Sequence, residues 1–147
     1  MNNNYRFIFL ILLATVLISC FGLFDHGSDR IVGKYIVLWI DLQECQSISE
    51  QSEIDSPNST TVIPEYVFAV GHNEDFIIAK QHPTNGFNGG YKVDTKTTNY
   101  YIIDMNRKIL KTGKNVFGPL DINKFDSIRT VLKINKMEFN QVYPDKP

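Results

Sequence analysis

Cysteine is scarce in this chain. Its 147 residues contain two, Cys20 and Cys45, so one disulfide at most can form, and a fold built on several bridges is excluded. An excess of either charge is also missing. Fifteen basic residues stand against sixteen acidic ones, a formal net charge of -1, and nothing is basic enough to indicate nucleic acid as a partner. The familiar catalytic signatures are absent. There is no Gly-x-Ser-x-Gly elbow and no His-Glu-x-x-His pair. The glycine-rich run Asn85-Gly-Phe-Asn-Gly-Gly90 is not followed by Gly-Lys-Ser/Thr, so it is no phosphate cradle. Histidines number three. If His72 sits at a hairpin tip and His82 at its open end, they are roughly 25–30 Å apart at ~3.3 Å per strand residue and cannot share one ion. Glu65 could face His82, but two ligands do not make a metal site. No metal, cofactor or catalytic residue is assigned, and an enzyme is not the reading the residues favour.

What is present begins at the amino terminus. No acidic residue precedes Asp25, Arg6 supplies a positive start, and Phe7 to Ile18 is an apolar core of twelve residues. These are the parts of an export signal. Leu17-Ile18-Ser19-Cys20 then resembles the lipobox of bacterial lipoprotein signal peptides. That resemblance implies diacylglycerol on the Cys20 thiol, cleavage before Cys20 and a membrane lipid anchor. The alternative is an uncleaved anchor. A spanning helix needs about 20 apolar residues, and Phe7 to Phe24 offers eighteen if Thr15, Ser19 and Gly22 are tolerated. Plain secretion is the third possibility. Removing the 19-residue leader leaves 128 residues with 14 basic and 16 acidic side chains, net -2. That is one domain with room for a real core. If Cys20 carries lipid, Cys45 has no partner, and its expected place is buried and inert.

The chain divides into three segments: leader 1–19, lipidated tether 20–29 and a single domain 30–147. Nine residues, Phe21 to Asp29, reach at most about 30 Å, which keeps the domain near its membrane. Ile31 to Leu42 alternates as one long strand, covered on both faces and therefore central. Gln43 to Val62 turns polar, with a short strand near Ser47–Ser49 and then loop. Glu65–Gly71 and Phe76–His82 read as a hairpin with Asn73-Glu74 at its tip. That register pairs Gly71 with Phe76 and Glu65 with His82. It puts Tyr66, Phe68, Val70, Ile77 and Ala79 on one face. Pro83 to Thr98 is a long Gly/Asn loop, of the kind uncommon unless it carries function or is disordered. Asn99 to Met105 is a further strand, Lys108 to Thr112 a shorter one, and Phe117-Gly118-Pro119 a breaker. Leu120 to Ile134 carries the helix signature. Asp121 is its N-cap, Leu120 and Phe125 form a hydrophobic staple, and Ile122, Phe125, Ile128 or Arg129, and Leu132 make an apolar stripe. The tail from Lys136 to Pro147 ends in a short strand and fraying.

The run Asp75-Phe-Ile-Ile-Ala-Lys-Gln81, then Tyr100-Tyr-Ile-Ile-Asp104, then Gly118-Pro119-Leu120 with Phe125 and Leu132, resembles a group of small bacterial lipoproteins. These are built on one uncharacterised domain without an established function. The likeness covers about Gly33 to Ile134. It implies a fold and a lipid anchor, and supplies no catalytic residues to carry over.

The expected fold is α+β: an antiparallel, meander-like sheet of five or six strands with one C-terminal helix on one face. The expected function is that of a membrane-anchored envelope lipoprotein. It would bind a protein or glycan partner, in an immunity or envelope-protection role, with Phe87 and Tyr91 of the long loop as contact residues. The alternative of a different class is a small envelope hydrolase acting on cell-wall or glycan material.

Overall fold

The structure is a computed structural model, and it describes residues 26–40, 45–84, 92–106 and 115–144. Nine strands and one helix lie in this part of the chain. They are β1 (Gly27–Val32), β2 (Tyr35–Trp39), β3 (Ser47–Gln51), β4 (Ser59–Ile63), β5 (Val67–His72), β6 (Phe76–Gln81), β7 (Asn99–Asp104), β8 (Val116–Leu120), α1 (Ile122–Val131) and β9 (Gln141–Val142). The strands form two antiparallel sheets, one in the order β1-β2-β3-β4 and one in the order β8-β7-β6-β5-β9. The antiparallel sheet with a helix toward the C-terminus is thus present, accompanied by a second sheet. Among the described residues no helix is long and apolar enough to cross a membrane.

The alternation of side chains explains three layers. Tyr35, Val37 and Ile48 of the first sheet meet Val70, Ile77, Ala79, Tyr101 and Ile103 of the second, and all are buried. The intervening residues of β6 and β7, Ile78 and Ile102, face the other way and are buried with Phe125 and Ile134. The β6 and β7 strands are therefore covered on both faces, which is why they read as nearly continuous apolar runs.

The segment Ile31 to Leu42 is not one strand. Gly33 takes φ 56, a left-handed conformation that glycine adopts at little cost. The chain reverses there, so that Val32 lies opposite Tyr35. The interior position expected for this segment belongs to β2, which lies between β1 and β3. Because β1 starts at Gly27, the last three residues expected in the tether are in the sheet. The polar run after Gln51 also contains a strand. Ser59 to Ile63 pairs with β3 at the sheet edge, with Ser59, Thr60 and Thr61 exposed. Strand pairing outside the core does not require the apolar alternation that sequence reading relies on.

The β5–β6 hairpin forms with a different register. His72 pairs with Ile77 and Val70 with Ala79, two positions away from the expected pairing. The cause is Asn73, whose Oδ1 accepts from the backbone N–H of Asp75 at 2.9 Å and of Phe76 at 2.7 Å. This side-chain turn moves the tip to Glu74-Asp75. A shift of two leaves the faces unchanged, so Val70, Ile77 and Ala79 still share one. A bulge between Val67 and Ala69 adds Val67 to that inter-sheet face. It also puts Tyr66 opposite His82, through the His82 N–H donating to the Tyr66 carbonyl, where Glu65 was expected.

Phe117-Gly118-Pro119 does not break the chain; it lies inside β8. Pro119 is tolerated because β8 is an edge strand. Lys108 to Thr112, expected as a short strand, lies outside the described residues.

The helix is shorter than expected, Ile122 to Val131, and Asp121 caps it by accepting from the Lys124 N–H at 2.9 Å. That N–H holds the Asp121 carboxyl below the usual aspartate range. Leu120 and Phe125 join the helix-side core, as a staple would have them. Ile122 does not share the stripe, being 45% exposed. The end is set by Lys133 at φ 59, with Ile134 N–H donating to Arg129 O and Lys133 N–H to Thr130 O, a Schellman pattern. Arg129 then braces the segment beyond the helix, donating from Nη2 to the carbonyls of Asn135 and Met137. The segment leading into β9 approaches Gly71 so closely that a Cβ there would overlap the Glu138 carbonyl oxygen.

Phe125 is fully buried, with its ring 4.8 Å from that of Tyr100. Phe125→Ala is expected to cost about 3–5 kcal/mol, read as a lower urea midpoint. Ile122→Ala on the same helix should stay within about 0.5 kcal/mol of wild type.

Candidate functional site

The residues singled out from sequence, Cys20, Phe87 and Tyr91, lie outside the described residues. What the structure supplies is the base from which the loop Pro83–Thr98 springs. At its first end, His82 is buried and its ring stacks on Phe68 at 4.3 Å and 17°. His82 Nδ1 lies 2.8 Å from the Thr97 carbonyl at the second end. A carbonyl only accepts, so the proton sits on Nδ1. Behind it, Gln81 donates to the Glu65 carbonyl at 2.6 Å and accepts from Asn99 Nδ2 at 3.0 Å. Gln81 and Asn99 also face each other across β6 and β7.

Further out, Thr84 bridges Val93, and the Asp94 N–H donates to the Pro83 carbonyl at 2.9 Å. The Asp94 carboxylate accepts from Thr97 Oγ1 at 2.6 Å and from the Lys96 N–H at 3.0 Å. The Thr97 hydroxyl is the main reason its pKa falls below the ordinary aspartate value. Both ends of the loop are therefore tied together and to the scaffold. Phe87 and Tyr91 fall between those ends in the sequence.

These contacts also fix a polarity. Gly27 pairs with Trp39, and Leu38 with Ser47. The Val67 N–H donates to the Gln46 carbonyl, and Val67 pairs with Gln81. The start of β1, the end of β2 and the base of the long loop therefore share one pole of the sandwich. The β5–β6 turn lies at the other. There the Asp75 carbonyl accepts from the Met105 N–H, Asp75 Oδ1 accepts from Asn106 Nδ2 at 2.5 Å, and Asp104 Oδ1 accepts from the Asn106 N–H at 3.1 Å. Asp75 and Asp104 thus build turns, as strand-end aspartates do. His72 and His82 occupy opposite poles of the hairpin. Among the described residues no three His, Cys, Asp or Glu side chains are grouped to hold a metal ion. Cys45 is a free, half-buried thiol near the loop pole.

Sequence reading missed the Gln81–His82–Asn99 network. Its signal was available: two polar residues, Gln81 and His82, close an apolar strand immediately before Pro83, where a solvated turn residue would be ordinary. Tyr143 was missed as well. It packs against the inter-sheet core, with its phenol close enough to the Asp29 carboxylate of β1 to feel its charge. Burial first, and then the Asp29 carboxylate, push its phenol up to about 12. Tyr101, buried within the core, is also raised by burial.

A family model described as "Protein of unknown function (DUF3997)" matches residues 32–143. It covers the folded domain from the end of β1 through β9 and none of residues 1–31. No curated protein and no solved structure matches the chain.

The raised Tyr143 value gives a signed pH dependence. The fold favours the neutral phenol, so its contribution is complete below the ordinary value of 10.0 and is lost as pH rises through about 12. Urea midpoints measured from neutral pH to pH 12 should fall along that limb, and Tyr143→Phe should flatten the fall.

Proposed function

The chain belongs to the family of proteins of unknown function whose model it matches, and we propose that it is a lipid-anchored, non-enzymatic binding module of the bacterial cell envelope. The observation that carries this reading is the pinned base of the Pro83–Thr98 loop. A long loop held at both ends by a buried histidine and an amide network is costly to keep unless it presents something. Contact residues are characteristically carried on loops that a rigid scaffold positions. Phe87 and Tyr91 are the side chains in that loop with the area to anchor a protein or glycan. An immunity or envelope-protection role fits a small domain of this kind.

The anchor rests on Leu17-Ile18-Ser19-Cys20. Each buried methylene of an attached chain contributes about 0.8 kcal/mol, and two or more chains hold a protein lastingly where one does not. The loop base and Gly27 share a pole, so a partner gripped there is one found close to the membrane.

Cells fed labelled fatty acid should label the wild-type chain and leave Cys20→Ala unlabelled; label that persists on the variant rules out lipidation at Cys20. A photo-crosslinking residue placed at Phe87 or Tyr91 should capture an envelope partner. Capture from Lys124, on the exposed face of α1, with none from either loop position would rule out this loop.

A further inference from the structure

The pole of the β5–β6 turn holds an open cleft of about 440 Å³, between the end of β5 and the segment that follows α1. Its ionisable side chains are His72, Lys133, Lys136 and Glu138. None of the four side chains has a hydrogen bond or an ion pair among the described residues. The two nitrogens of His72 differ. Nδ1 is buried without a partner. A buried N–H left unpaired is costly, so the ring proton sits on Nε2. Nε2 is not enclosed in the same way, and it presents its N–H to the cleft that the ring lines.

Lys133 takes φ 59, a left-handed conformation that glycine adopts most easily at a helix end. A lysine there keeps a cation on the rim against a backbone preference. The nearby acceptors are engaged elsewhere. The Arg129 and Thr130 carbonyls accept from the N–H groups of Ile134 and Lys133. The Arg129 guanidinium holds the Asn135 and Met137 carbonyls. The Asn73 side-chain oxygen is used in the turn. The free groups that remain are chiefly donors, opposed by one carboxylate.

Two lysines against Glu138 leave one net positive charge. A phosphate monoester brings nearly two negative charges at neutral pH and would be repelled by Glu138, whereas a phosphodiester brings one. We propose that this cleft binds a phosphodiester group, with Lys133, Lys136 and the His72 Nε2–H as its donors. The site is separate from the base of the Pro83–Thr98 loop, which lies at the opposite pole with His82.

The full-length chain in a non-ionic detergent is titrated with glycerophosphoglycerol by calorimetry at low salt. Saturable binding is expected. Lys133→Gln and Lys136→Gln should each weaken it about tenfold, the loss of one charge-assisted hydrogen bond. Both lysines are exposed, so urea midpoints should match wild type. Glu138→Gln should strengthen binding of glycerol 1-phosphate more than binding of the diester. Phosphatidylglycerol vesicles that displace the soluble diester identify a lipid headgroup as the source; failure to displace it identifies a free diester, and either result upholds the site. No saturable heat at millimolar diester, or binding that both lysine variants leave intact, overturns the site. Glycerol 1-phosphate or acetate binding to the wild-type chain as tightly as the diester overturns the ligand class.

Discussion

Two adjacent strands, β6 and β7, are apolar on both faces, and the remaining layers answer to that constraint. Neither strand can be left with a face in water. Ile77, Ala79, Tyr101 and Ile103 need one cover, and Ile78 and Ile102 need another. The first is supplied by the whole of the β1–β4 sheet. The second is supplied by one short helix and the segment behind it, with Phe125 as the central plug. Burial of an Ile or Phe side chain contributes roughly 1.5–3 kcal/mol, so the double cover is where most of the favourable energy is concentrated. The helix is too short to stand alone in water and forms because this face requires it.

The same constraint explains which features were legible in the sequence. Strand and helix placement near β6, β7 and α1 could be read because burial on both faces leaves continuous apolar runs in the strands and burial on one side leaves a stripe on the helix. Even the misjudged register of β5 and β6 left Val70, Ile77 and Ala79 together, since an offset of two preserves the pleat. Legibility failed where local geometry decided matters. One glycine at φ 56 divides what the alternation presents as a single strand from Ile31 onward. One asparagine side chain moves a hairpin tip. One edge position lets Pro119 sit in a strand, and a polar edge strand, β4, leaves no apolar trace at all.

The functional elements show a different divide. The lipid anchor and the loop contacts were read from Cys20, Phe87 and Tyr91, none of which is among the described residues. The structure adds the groups that hold the loop in place: His82, Gln81, Asn99 and Asp94. Polar residues of that kind carry no periodic signal. Their meaning depends on partners brought close by the fold, Phe68 and the Thr97 and Glu65 carbonyls. The family match begins at residue 32 and so lends nothing to the reading of Cys20.

The pairing of Val70 with Gln141 has a kinetic meaning. The β5 strand is complete early in synthesis, yet one of its edges stays open until a strand some seventy residues later is made. Tyr35 similarly waits for Asn115, whose side chain donates to its hydroxyl. Pairings of such long range close slowly, because the loop entropy must be surrendered before any contact returns it. Pairings between strands adjacent in sequence, such as β5 with β6 and β6 with β7, need no such wait, so the late step is the addition of the short β9 to the open edge of β5.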